Sequence, residues 1–208
     1  MRQVGEINAS SQADIAFLLL IFFLVTTSMN VDQGLFRQLP PPSDGQEQEH
    51  EKINERNIFI VLINKDNQLA IEGELADFNE LTDRTIKFLT NPANSENLAE
   101  QVKASKKLED AEAAGKAEDV ALYRALVDRC GDPNITRGVV SLQNDRGTKY
   151  ETYIQVQNSI VAAFNICRDN FAKEYFGNLY DDLSADDQKL VKTVFPLAIS
   201  EAEPRSVK

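Results

Sequence analysis

Asp14 stands directly in front of an unbroken apolar run, Ile15-Ala16-Phe17-Leu18-Leu19-Leu20-Ile21-Phe22-Phe23-Leu24-Val25. A carboxyl group at the edge of hydrocarbon can bind and release a proton, and nothing about crossing a bilayer requires one there, so Asp14 is a functional-site candidate. The same residue also has a structural reading. Ser11-Gln12-Ala13-Asp14 fits an S-x-x-D capping box, in which Asp14 at the third helical position satisfies backbone N–H groups and complements the helix dipole. The residues alone leave both readings open. Helical spacing places Phe17, Leu18, Ile21 and Val25 near the Asp14 face, with no second charge in the same helix, so any partner for the carboxyl comes from another chain. Thr26 and Thr27 either line a wet path or bond back to helix carbonyls.

Other chemistry has little support. His50 is the sole histidine and sits in an acidic stretch, so no histidine pair exists for a metal site or a proton relay. The chain contains no GxxxxGK[ST], GxSxG or GxGxxG, which removes the common phosphate-binding and nucleophile-elbow signatures. We therefore expect no catalytic residues, no metal and no cofactor, and a protein that is not an enzyme. A net charge of -11 argues against a nucleic-acid partner, because phosphate binding rests on clustered Lys and Arg.

The elements that position these residues follow from pattern and length. Residues 13–31 form the one segment able to span a membrane, about 28 Å of helix at roughly 1.5 Å per residue. Ten Leu, Ile, Phe or Val residues favour insertion by roughly 3 to 6 kcal/mol, against at most about 3 kcal/mol for Asp14. A cleaved secretory signal fits poorly, since Glu6 and Asp14 flank a single Arg2 and Thr26-Thr27-Ser28-Met29 follows. Arg2 opposes only Arg37 and Lys52, so the charge rule leaves orientation undecided.

Residues 32–56 read as a flexible linker, with Pro40-Pro41-Pro42 extended and an acidic-polar run behind it. Leu35, Leu39, Pro40 and Pro41 are candidates for adding as an extended strand to a partner or a dimer mate. From residue 57 to 202 we expect a compact α+β two-layer domain. A buried strand covers 58–63, and its continuous apolar run suggests burial on both faces. Turn chemistry at 64–67 leads to a second strand at 69–71, and Asp77-Phe78-Asn79-Glu80 caps a helix that ends at Asn91-Pro92. Residues 91–134 form a helical insertion broken near Gly115, whose Tyr123, Leu126, Val127 and Cys130 dock on the core. A strand at 139–142 precedes a long helix with Tyr153, Val156, Ile160, Phe164, Cys167 and Phe171 on its core face, stopping near Gly177. A short helix opens at Ser184, and a last strand is expected at 197–199.

The residues 13–27, with Gly34-Leu35 and Leu39-Pro40-Pro41, resemble the transmembrane signature of the ExbD/TolR family, proton-dependent components of bacterial envelope energy-coupling complexes. The resemblance is specific over the first 42 residues and looser beyond, and residues 91–134 depart from the short family domain. It implies an inner-membrane, single-pass protein with residues 1–12 cytoplasmic and the carboxy-terminal domain periplasmic. It further implies Asp14 as the proton-carrying group, two copies of this chain inside a ring of an ExbB-like multi-span membrane protein, and a TonB-like periplasmic partner in outer-membrane transport. TolR-like envelope maintenance is the alternative within the family, and Leu39-Pro40-Pro41 does not separate the two. A membrane-anchored periplasmic binding or scaffold module without proton chemistry is the alternative outside it. A periplasmic domain would permit oxidation, which makes Cys130 and Cys167 a candidate disulfide pair.

Overall fold

The computed structural model describes residues 9–27 and 54–201, with side chains in the first stretch described for 12–24. The chain divides into two compact units, Met1–Gln48 and Glu49–Lys208. The first contributes helix α1 (Ala9–Thr27). Ala9, Ser10, Ser11 and Gln12 carry no Pro or Gly and extend the helix ahead of the expected start at residue 13. Among the described residues no helix is long and apolar enough to cross a membrane.

The second unit is α+β. A single 3-10 turn, Glu55–Asn57, leads into β1 (Ile58–Ile63), followed by β2 (Leu69–Ile71) and β3 (Glu74–Ala76). The Asn64 side chain shapes the first hairpin turn, accepting hydrogen bonds from the amides of Asp66 at 3.0 Å and Gln68 at 2.8 Å. Helix α2 (Phe78–Thr90) opens with the amide of Asn79 donating to Asp77 Oδ1 at 3.1 Å. Strand β4 (Gln101–Lys103), helices α3 (Ala104–Ala113) and α4 (Ala117–Cys130) and strand β5 (Asn134–Thr136) make up most of the segment expected as an insertion, called the insertion below. Strands β4 and β5 pair antiparallel, so the helices form a hairpin standing on a two-stranded stalk. Strand β6 (Val139–Asn144), the long helix α5 (Tyr150–Phe176), a 3-10 turn Tyr180–Asp182, α6 (Ala185–Val194) and β7 (Ile199–Glu201) complete the unit. Gly177 ends α5 in the left-handed conformation, φ 74°, a position where a side chain would be strained.

The main sheet has the order β3-β2-β1-β6-β7. The first three strands form an antiparallel meander, while β1 runs parallel to β6 and β6 parallel to β7. Ile58 pairs with Val139 and the register runs without interruption to Ile63 and Asn144. Burial alternates along β1: Phe59, Val61 and Ile63 are buried, whereas Ile60 on the other face is 39% exposed. The expectation that this strand is buried on both faces is thereby corrected. Its six apolar residues reflect a central position among neighbouring strands, while the packed core lies on one face only. Leu81 and Leu89 of α2 and Ile160 and Phe164 of α5 fill that face together with Val140 and Leu142 of β6. Five of the six residues expected on the core face of α5 are buried; Tyr153 is half-buried and donates to Glu201 Oε1 at 2.6 Å.

Candidate functional site

Asp14 is the sixth residue of α1, and no acidic residue occupies the first turn of that helix. The capping-box reading needed Asp14 at the third position, so it is corrected: at the sixth, the backbone amide ladder of the helix is already closed and has no orphan donor to offer. Asp14 and the side chains of Phe17, Leu18 and Ile21 are exposed on α1. These positions follow Asp14 by three, four and seven residues and therefore share its face. The side chains of Val25, Thr26 and Thr27 lie outside the described residues, as do Leu35, Leu39, Pro40, Pro41 and His50.

In the second unit, the two cysteines sit on different helices. Both Cys130, the last residue of α4, and Cys167, within α5, are buried free thiols. Each sulfur fills core space in this structure as a small apolar side chain. Burial raises the pKa of the Cys130 thiol, with Arg129 opposing and Asp187 adding to the effect. Burial pushes Cys167 up to about 11, against a smaller pull from Arg168 in the other direction.

Two consequences follow for Cys167. At pH 8 its thiolate population falls about two orders of magnitude below that of an ordinary thiol. Iodoacetamide should modify it at least roughly 100-fold more slowly in the native protein than in urea. Mass analysis without reductant should then count two alkylated cysteines only after unfolding; a count of zero would restore the bridge. The unfolded chain also releases this proton first, so stability is complete below about pH 9 and falls as pH rises toward 11, by at most about 1.4 kcal/mol per pH unit. Urea midpoints at pH 8, 9.5 and 10.5, compared with Cys167→Ala, test the slope.

Among the described residues, no group of three or more His, Cys, Asp or Glu side chains is placed to hold a metal ion. A cleft of about 520 Å³ separates α4 from α6, lined by Glu118, Ala121, Leu122, Ala125, Arg129, Asp186, Lys189 and Leu190. Arg129 reaches across to pair with Asp187, tying the insertion to α6.

A polar cluster at the root of the insertion escaped the reading by motif. The buried Asn57 accepts from the Glu100 amide at 2.8 Å through Oδ1, and its Nδ2 donates to Glu100 Oε2 at 3.5 Å. Arg56 Nη2 donates to Asn94 Oδ1 at 2.9 Å. The buried Asn91 closes the loop after α2, donating to the carbonyls of Ser95 at 3.1 Å and Ala99 at 2.7 Å and accepting from the Ser95 amide at 2.8 Å. The sequence signal was Asn91-Pro92-Ala93-Asn94-Ser95, which marks a helix end but does not say which distant groups its amides will hold.

The family model described as biopolymer transport protein ExbD/TolR matches residues 1–166. The matched region takes in α1, strands β1 to β6, the insertion and the first part of α5, leaving α6 and β7 beyond it. No curated protein matches the chain.

Proposed function

The chain belongs to the ExbD/TolR family of biopolymer transport proteins, and from that membership we propose that it is the single-span component of a proton-driven inner-membrane motor. In this reading α1 enters a pore formed by an ExbB-like multi-span protein, with two copies of the chain per ring. The domain carrying β1 to β7 lies in the periplasm and passes work to a TonB-like protein that opens outer-membrane receptors.

The observation that carries the reading is the placement of Asp14. Between Glu6 and Asp32 it is the only ionisable residue, and it lies inside α1 rather than at its cap. The whole helix has 19 residues, about 28 Å at roughly 1.5 Å per residue, which matches the hydrocarbon thickness of a bilayer. A carboxyl group in a poorly hydrated pore changes between neutral and charged forms as it meets each compartment. One charge moved through about 100 mV delivers roughly 2.3 kcal/mol, so a repeated protonation cycle supplies usable work. Phe17, Leu18, Ile21 and Val25 form the pore-facing stripe, and Thr26 and Thr27 offer polar groups toward the far end. Leu35, Leu39, Pro40 and Pro41 are the proposed extended contact just beyond the membrane.

Receptor-dependent uptake and outer-membrane integrity, measured side by side in cells carrying Asp14→Asn, test this function. Loss of uptake with an intact outer membrane supports the TonB-coupled role. Loss of integrity with normal uptake assigns the chain to TolR-like envelope maintenance, and no change in either leaves a scaffold without proton chemistry.

A further inference from the structure

The 3-10 turn Glu55–Asn57 leads the described part of the second unit into β1. Each side-chain hydrogen bond described for Arg56 and Asn57 ends on the root of the insertion, at Asn94 or Glu100, and none on the main sheet. Those two residues lead straight into the stalk. The amide of Gln101, the first residue of β4, donates to Asn94 Oδ1 at 3.1 Å. The amide of Arg137, just past β5, donates to the Glu100 carbonyl at 3.0 Å, and its guanidinium lies 3.6 Å from the Glu100 carboxylate. Both strands of the stalk are thus tied to the turn at their root end, beside Glu100.

The two structures on either side of the turn differ in strength. Strand β1 is held by six register pairs to β6 and by β2 on its other edge. The stalk has three pairs between two strands of three residues, half the ladder that joins β1 to β6, with Val102, Ile135 and Thr136 buried against their surroundings. A displacement of the turn therefore reaches an element that yields before the sheet does.

We propose that this junction makes the insertion a conformational relay, in which movement of the turn at residues 55–57 shifts the β4–β5 stalk and the α3–α4 hairpin it carries while the five-stranded sheet stays intact. The coupling itself stands independently of the motor reading; its use in passing work from the membrane to a periplasmic partner rests on that reading.

Hydrogen exchange on the full chain in lipid nanodiscs tests it in both directions. Asn57→Ala should raise exchange in residues 101–103 and 134–136 by at least about tenfold, while 58–63 and 139–144 stay within about twofold of wild type. Arg56→Ala, which removes only the Asn94 bond, should give a smaller rise in the same places and serves if Asn57→Ala does not fold. Coupling between two places is reciprocal. Asp132 holds the far end of the stalk, accepting from the Ser105 amide at 2.7 Å and hydroxyl at 3.1 Å. Asp132→Ala should accordingly raise exchange at the amides of Asn57 and Ile58. An unchanged stalk in the turn variants, an unchanged turn in Asp132→Ala, or a uniform rise across the whole domain would overturn the relay.

Discussion

Cells whose only copy of this protein carries Asp14→Asn should, on the proposed motor function, lose energy-dependent uptake entirely, to the level of a deletion strain, while the protein still inserts and still co-purifies with the proposed multi-span partner. Asn has the shape of Asp but no exchangeable carboxyl proton, so the substitution removes the proposed chemistry and leaves the helix. Removing the charge also makes insertion slightly easier, because a carboxylate near hydrocarbon is among the costliest groups a membrane helix can carry. A defect in assembly is therefore not the expected cause of the loss. Asp14→Glu keeps the carboxyl on a side chain one methylene longer and should retain part of the uptake. The pairing of results is what carries the argument: abolished uptake with an intact complex, and partial rescue by Glu. Uptake within about twofold of wild type together with an intact outer membrane for Asp14→Asn would remove the proton step from this residue and leave α1 as an anchor.

The second large effect is structural and lies at Gly138, between β5 and β6. A Cβ built there would sit 2.8 Å from Phe88 Cε1, 3.0 Å from Ala99 Cβ and 3.0 Å from Leu89 Cδ2. Phe88, Leu89 and Ala99 are all buried, and Phe88 stacks on Phe59 with ring centroids 5.0 Å apart, so none of them has free space to move into. The backbone passes this close because the insertion must return to the main sheet beside the end of α2. Gly138→Val adds three carbons to that contact and should cost about 3 kcal/mol, near the upper end for overpacking. For a domain of this size that is a fall of roughly 6–12 °C in melting temperature. Gly138→Ala, with a single carbon, should lie between wild type and Val. A melt of Gly138→Val within about 2 °C of wild type would mean that α2 and the insertion root are free to move apart.

Gly138 also marks the limit of what could be read in advance. In the chain it stands as Arg137-Gly138-Val139, with no turn signature around it, and its role comes from a helix end 49 residues earlier. The strand at 58–63, the break at Gly115, the stop at Gly177 and the caps Asp77 and Ser184 were all legible, because each depends on neighbours within a few residues. Strands β3, β4 and β5 were not. Each has three residues, too few to show a period of two, and they exist because another strand is already in place to pair with them.

Asp14, the apolar run behind it and the resemblance to the ExbD/TolR family were determined by the sequence by itself, since a charge beside a long apolar stretch is a local pattern. So were the α+β class and the core face of α5. The tertiary structure alone decided that β1 pairs parallel with β6 across 80 residues. It also decided that Cys130 and Cys167 are both buried, and that Asn57 is held by Glu100. Pairings at such separations are selected by which faces bury apolar surface and which polar groups must then find partners, and those conditions arise only once the whole chain has packed.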